Sequence, residues 1–213
     1  MGLSSFLRKI VKSACPSDCV FKEVGLNIAL IPPPKEVLGV IISRDPTIRW
    51  LKFYKYVMDE IENNDIQRNI LFASAIPYML FKRITDFMDK KIRDDERNLF
   101  QLIFHKCYWT HLHKCFTDKS SGRFQFKMKY AKKCANKWLR EELKIAIEDG
   151  AKFAIALGND VQNWLKNQKI REKFEVINLP HPSGLNCKWS NTQDETIIGA
   201  ICKLLKQCRS HVT

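Results

Sequence analysis

The sequence has no long uninterrupted run of apolar residues: no stretch of its 213 residues approaches the roughly 20 that a membrane-spanning helix needs. It also has no internal repeat and no low-complexity tract, which excludes repeat architectures. Residues 1–12 contain apolar pieces broken by Arg8, Lys9 and Lys12, too interrupted for the core of a secretory signal. We therefore expect an intracellular protein, cytoplasmic or nucleoid-associated, without a membrane partner.

Acidic residues are in deficit, with 23 Asp and Glu against 36 Lys and Arg and a net charge of +13. Such a surplus attracts polyanions, of which nucleic acid is the most common partner. The basic residues are spread along the chain, with local clusters at 127–133 and 203–209. The length and the 45% hydrophobic content predict one globular domain over 1–213, and we expect it to be a monomer.

Eight cysteines need a separate explanation, because disulfides are rare in a reducing compartment. Metal ligands, cluster ligands and buried thiols are the remaining roles. The close pair Cys15-Pro-Ser-Asp-Cys19 is the first such feature along the chain.

Four short apolar runs bounded by turn residues predict buried strands at 37–42, 103–110, 152–157 and 174–179. Helical patterns separate or follow them at 50–93, 129–148, 158–164 and 194–207, and Pro77 is expected to kink or end a helix. This alternation predicts an α/β fold, a three-layer sandwich with a central, mainly parallel four-stranded sheet flanked by helices. In such sheets, ligands bind beyond the carboxyl ends of the strands.

Three segments together resemble the uracil-DNA glycosylase superfamily. His181-Pro-Ser-Gly-Leu-Asn186, after a strand, is similar to the second motif of the family, and Ser43-Arg-Asp-Pro-Thr47, also after a strand, is similar to a first motif that reads Gly-Gln-Asp-Pro-Tyr. Thr110-His-Leu-His-Lys-Cys115, followed by Cys134, Trp138-Leu-Arg-Glu-Glu-Leu143 and Ile155-Ala-Leu-Gly158, resembles the iron–sulfur branch. The first motif diverges from that branch.

The resemblance implies a monofunctional hydrolase of DNA repair that removes a damaged base swung out of the duplex. The reaction breaks a C–N glycosidic bond through a transition state with oxocarbenium character. By position, Asp45 would orient the attacking water and His181 would donate to the carbonyl oxygen of the departing base. Ser183 would hold a DNA phosphate, Leu185 would wedge into the gap in the stack, and Lys188 would add a phosphate contact.

The base itself is less closely defined by these motifs. Thr47 stands where a tyrosine or a glycine is usual, and the tyrosine would exclude thymine. His111 stands where an asparagine reads uracil. The aromatic ring that stacks on the base is Trp50, Phe53 or Tyr54, and we assign Phe53 to the base site. Uracil, a deaminated purine such as hypoxanthine, and another lesion all remain open as the base that is removed.

For the cysteines, the resemblance implies that Cys15, Cys19, Cys115 and Cys134 ligate a 4Fe–4S cluster. The cluster would tie the N-terminal segment to the loop beside the DNA and would not turn over during base removal. Three residues separate Cys15 from Cys19, where the family usually has two. Zinc at the same four thiols and buried thiols without a metal remain the alternatives.

Two other functions compete with the enzyme. The first is a non-catalytic iron–sulfur protein that binds DNA on the same fold. The second is a zinc-bearing nucleic-acid module in which the His-Pro-Ser is coincidental, with Asp45 a helix cap and His181 an ordinary turn residue.

Overall fold

A four-stranded parallel sheet lies at the centre of the protein. The computed structural model describes residues 2–12, 31–46, 75–88, 95–117, 125–183 and 186–211. The strands lie in the order β2-β1-β3-β4, and every neighbouring pair is parallel. They are β1 (Gly39–Ser43), β2 (Cys107–His111), β3 (Phe153–Leu157) and β4 (Glu175–Leu179). This confirms the predicted α/β fold with a parallel sheet.

The strands form where apolar, often β-branched residues follow one another without polar interruption. Every residue of β1, β2 and β3 is buried, as expected for parallel strands covered on both faces. The register pairs Ser43 with His111, Ile42 with Ala156, and Leu157 with Leu179. The strands therefore end nearly level, and their carboxyl ends form one edge of the sheet.

Helices cover both faces of the sheet. The two faces carry separate apolar cores, one containing Ile41 and Trp109 and the other containing Ile42 and Tyr108. The helices are α1 (Leu3–Lys12), α2 (Ile76–Met88), α3 (Glu96–Gln101), α4 (Met128–Cys134), α5 (Arg140–Glu148), α6 (Asn159–Lys166) and α7 (Glu195–His211). A π-helical turn, Leu102–Lys106, continues α3, and a second π-helical turn, Ala135–Leu139, joins α4 to α5. Two 3₁₀ turns lie at Lys169–Lys173 and Cys187–Ser190.

Side chains from α2, α3 and α7 pack into the first core, and side chains from α1, α4, α5 and α6 pack into the second. The predicted three layers are therefore confirmed. Within the described ranges, no helix is at once long and apolar enough to cross a bilayer.

Two predicted elements differ from the structure. The apolar run at 103–110 is a strand only from Cys107, because Leu102–Lys106 forms a buried π-helical turn. A short apolar run is compatible with a buried helical turn as well as with a strand, so its pattern does not distinguish the two structures. Pro77 neither kinks nor ends α2: it is the second residue of that helix, where its missing N–H costs nothing.

Candidate active site

Three of the predicted site residues follow or end strands at one edge of the sheet. Asp45 lies two residues after β1, His111 is the last residue of β2, and His181 lies two residues after β4. Only β3 separates β1 from β4, so these two strands lie about 10 Å apart. The structure therefore brings Asp45 and His181 to the same edge, on either side of the end of β3.

Asp45 is held in one orientation by two neighbours. Its side chain is only 3% exposed, and Arg44 Nε donates to Oδ1 at 2.5 Å. The Thr117 hydroxyl donates to Oδ2, and the Thr117 backbone N–H donates to the Pro46 carbonyl at 3.0 Å. The Arg44 guanidinium in turn lies over the Phe126 ring, 4.3 Å from its centroid. The carboxylate is therefore fixed before any ligand arrives.

His181 is held with a defined tautomer. The Ser183 backbone N–H donates to His181 Nδ1 at 3.2 Å, so the ring hydrogen is on Nε2. The His181 carbonyl accepts from Asn186 Nδ2 and Trp189 Nε1, each at 3.1 Å. Hydrogen bonds therefore hold both the ring and the backbone carbonyl of His181, and the ring hydrogen that can donate to a ligand is the one on Nε2.

Gly158 shapes the end of β3 between the two strand ends. Its φ of +83° is a conformation that favours glycine, and an added Cβ would lie 3.5 Å from the His181 Cβ. Its N–H donates to the Leu179 carbonyl at 2.9 Å. The positive φ is therefore the reason for a glycine at this position, since an added Cβ would come only into ordinary contact with His181.

His111 is almost completely buried, with 1% of its surface exposed. Its Nδ1 lies 2.6 Å from Ser43 Oγ, and Trp109 Nε1 donates to the same oxygen at 3.0 Å. Burial is the largest cause that holds the pKa of His111 well below its ordinary value, and the charges of Lys114, His113 and His181 add to it. The imidazole is therefore neutral at neutral pH, and the electrostatic influence of His181 reaches it.

A buried ion pair lies on the opposite face of the same strand end. Lys114 Nζ is 2.5 Å from Glu142 Oε2, with side-chain exposures of 2% and 1%. The Thr110 hydroxyl donates to Glu142 Oε2 at 2.9 Å and accepts from Lys114 Nζ, and Tyr108 OH donates to Oε1 at 3.3 Å. Burial first, and then the charge of Glu142, raises the pKa of Tyr108. This network fastens the loop after β2 to α5.

Two of the four predicted cluster ligands lie in the described part of the chain, and both are buried. The Lys114 backbone N–H lies 3.4 Å from Cys134 Sγ, so Cys134 is beside the residue that precedes Cys115. N–H groups that point at sulfur are typical around cluster thiolates. Cys15 and Cys19 lie outside the described residues. Within the described residues, no group of three or more His, Cys, Asp or Glu side chains could hold a metal ion, so the cluster stays a prediction.

The remaining predicted contacts are only partly described. Ser183 is half-buried beside His181, and Lys188 is exposed on the 3₁₀ turn that follows. Thr47, Phe53 and Leu185 lie outside the described residues.

The two basic clusters lie at different ends of the sheet. The Lys127 to Lys133 segment is next to the site edge, because Cys134 contacts Lys114 and Phe126 contacts His113. In the C-terminal cluster, Lys203 Nζ lies 3.6 Å from Oε1 of Glu175, the first residue of β4. Arg209 forms an ion pair with Asp95. That cluster is therefore at the opposite edge of the sheet from His181.

Sequence reasoning missed the residues that hold the site. Ser43, Arg44, Lys114 and Glu142 all stand inside the motif segments, but the motifs assign them no role. Thr117 lies two residues after Cys115, between the pieces of the third segment, and carries no sequence signal.

Comparison with known families gives one match. The sequence model of the uracil DNA glycosylase superfamily matches residues 59–205, which is more than half of the chain. The protein therefore belongs to the uracil DNA glycosylase superfamily. No curated protein sequence matches it significantly. The matched range contains His111, Cys115, Cys134 and His181, and it begins after Asp45.

Removal of Glu142 tests the buried ion pair. Because Glu142→Ala leaves the Lys114 ammonium buried without a counter-charge, we expect the free energy of unfolding to fall by about 3–5 kcal/mol. The matched control is Glu141→Ala on the same helix, whose exposed pair with Lys144 contributes about 0–1 kcal/mol. Urea unfolding measures both variants, and equal losses would contradict the role assigned to the pair.

Proposed function

We propose that this protein is a monofunctional DNA glycosylase that hydrolyses the N-glycosidic bond of a damaged, flipped-out base in DNA repair. The observation that carries the proposal is the pairing of a fixed carboxylate with a fixed imidazole N–H donor at one edge of the sheet. Asp45 is held by Arg44 and Thr117, and His181 is held with its hydrogen on Nε2. Family membership supports the reaction class.

In the proposed mechanism, Asp45 and His181 act on opposite ends of the breaking bond. As the C1′–N bond breaks, its electrons move to the base and positive charge grows on the sugar. A carboxylate accepts about four hydrogen bonds, so Asp45 keeps lone pairs to orient a water and stabilise that positive charge. The water oxygen bonds to C1′ and its proton passes to the Asp45 carboxylate. His181 Nε2–H donates to the carbonyl oxygen that becomes negative, and the base leaves as an anion that takes up a proton from solvent.

The rest of the proposed site binds the base and the DNA strand. His111, Thr47 and Phe53 surround the base, Ser183 and Lys188 contact phosphates, and Leu185 fills the gap left in the stack. The partner is DNA with a deaminated base such as uracil, bound by a monomeric single domain. The net charge of +13 and the exposed lysines of segment 127–133 support phosphate binding near the site.

A 4Fe–4S cluster fits the cysteines better than zinc does, on the resemblance to the iron–sulfur branch. Cys115 and Cys134 would hold it together with Cys15 and Cys19. α1, which ends three residues before Cys15, packs on the helix that follows Cys134, with the Phe6 and Trp138 rings 6.4 Å apart. When bound, the cluster would supply a structural link and no redox step.

One observation favours a second candidate, a non-catalytic iron–sulfur protein that binds DNA on this fold. The Asp45 side chain is nearly inaccessible and already pairs with Arg44, as in a structural ion pair. Such a protein would bind duplexes with damaged bases and release nothing.

The decisive experiment is release of free base from duplexes that carry uracil, hypoxanthine or xanthine. We expect Asp45→Asn and His181→Ala each to lower kcat about 100-fold or more, since each removes transition-state stabilisation. The control Asp86→Asn, which loses only an exposed ion pair with Lys82, should retain wild-type turnover. Turnover that survives both site substitutions would refute the assignment, and binding without any release would favour the second candidate.

The cluster is tested by cysteine substitution. We expect Cys115→Ser and Cys134→Ser to lose the brown colour and the bound iron and sulfide, because each removes a thiolate ligand. Cys202→Ser changes an exposed thiol and should retain both. Bound zinc without sulfide in the purified protein would decide for the zinc alternative, and no loss in either variant would remove these two residues from the ligand set.

A further inference from the structure

Arg83 joins α2 to the loop after β4. Its Nε donates to the Pro182 carbonyl at 3.3 Å, between the two loop residues His181 and Ser183. We propose that Arg83 is a phosphate-binding residue of the DNA site: Nε holds the loop, while Nη1 and Nη2 bind one backbone phosphate of the strand that carries the damaged base. This inference rests on the proposed function and deepens it.

The packing of α2 places Arg83 beside this loop. Phe87, one helical turn after Arg83, is buried, and its ring meets the Trp189 ring edge-on with the centroids 5.9 Å apart. Residues four apart lie on the same face of a helix, so Arg83 and Phe87 both face the chain that follows β4. Trp189 Nε1 in turn donates to the His181 carbonyl. α2 therefore braces two consecutive carbonyls of the loop, one through Arg83 and one through Trp189.

No carboxylate in the described part of the chain forms an ion pair with Arg83. Asp86, the acidic residue nearest to it along α2, pairs with Lys82 Nζ at 3.0 Å. The Arg83 side chain is half-buried, and a guanidinium has five N–H donors, of which the bond to Pro182 uses one. The four N–H groups on Nη1 and Nη2 therefore remain for a ligand, together with an uncompensated positive charge.

A phosphate diester matches these donors. Nη1 and Nη2 lie side by side at the end of the planar guanidinium, and this fork binds two phosphate oxygens at once. Ser183 directly follows Pro182, and no residue that the structure describes forms a hydrogen bond with its hydroxyl. Lys188 is exposed on the 3₁₀ turn that follows. Together these groups favour an anion with several oxygens, which in the proposed site is a DNA phosphate.

The two contacts of Arg83 are made by one rigid group. Because the guanidinium is planar, the bond from Nε to the Pro182 carbonyl sets the direction of Nη1 and Nη2. A phosphate bound there is held at a fixed position relative to His181 and Ser183. Arg83 would then contact the strand and not the base, so its loss should weaken DNA binding without changing which base is preferred.

The salt dependence of DNA binding tests the phosphate contact. The probe is a duplex with a tetrahydrofuran abasic site, which has no base to release. We expect Arg83→Gln to raise Kd about tenfold at low salt and to reduce the slope of log K against log salt concentration by about 0.9, the value for one phosphate contact in duplex DNA. The matched control Lys82→Gln removes the same charge from the neighbouring residue, which pairs with Asp86, and should keep the wild-type slope.

Uncharged linkages then identify the phosphate. A methylphosphonate replaces one phosphate at a time on the strand that carries the abasic site. At one linkage we expect a loss of affinity of about tenfold in the wild type and about twofold or less in Arg83→Gln, because the residue and the phosphate form one contact. Arg83→Met keeps an apolar stem, serves as a second uncharged variant and should behave in the same way. Equal losses in the wild type and both variants at every linkage would mean that Arg83 only braces the loop, and would overturn the inference.

The outcomes separate this inference from the proposed function. Base release by the wild type, together with an unchanged salt slope in Arg83→Gln, would overturn the inference and leave the glycosylase intact. No release of any base, together with the loss at one linkage that depends on Arg83, would overturn the enzyme and leave the phosphate contact intact.

Discussion

The parallel pairing of β1 with both β2 and β3 is the constraint on which the site depends. Ser43 pairs with His111 on one side, and Ile42 pairs with Ala156 on the other. Because parallel strands end at the same edge, residues that are far apart in sequence meet there without any contact between their own loops. Asp45 and His181 are brought to one edge in this way by the backbone alone. The side chains then need only local partners to be oriented.

The polar groups at this edge of the sheet are buried at some cost to the stability of the fold. The Asp45 carboxylate, the His111 ring and the Lys114–Glu142 pair are all almost inaccessible to water. Replacement of such groups by apolar residues is often neutral or stabilising in other proteins, so stability alone does not explain them. Fixed, dry donors and carboxylates are what transition-state stabilisation requires. The polar groups at this edge are therefore consistent with a site organised before its ligand binds.

The sequence predicted the elements of the fold better than their arrangement in space. Apolar runs bounded by turn residues located all four strands, since parallel strands buried on both faces leave that pattern. The predicted start of β2 was wrong, because residues 103–106 of the predicted strand belong to a π-helical turn, and their apolar pattern fits such a turn equally well. Pro77 was also misread, because proline breaks a helix interior and is accepted in the first turn.

For the site, motif resemblance located Asp45, His111 and His181, whose roles stay proposals. It could not supply the groups that hold them. The bond from Thr117 to Asp45 spans 72 residues, and the contact between His111 Nδ1 and Ser43 Oγ joins residues 68 apart. Such contacts follow from the strand order and register, which no local pattern contains.

The most direct test of the account is a structure of the protein bound to a duplex with an uncleavable C-linked analogue of deoxyuridine. We expect an extruded base over the end of β3. We expect the Asp45 carboxylate on the sugar side and Nε2 of His181 within hydrogen-bonding distance of a keto oxygen of the base. A base that stays stacked in the duplex, or that binds away from the carboxyl edge of the sheet, would contradict it.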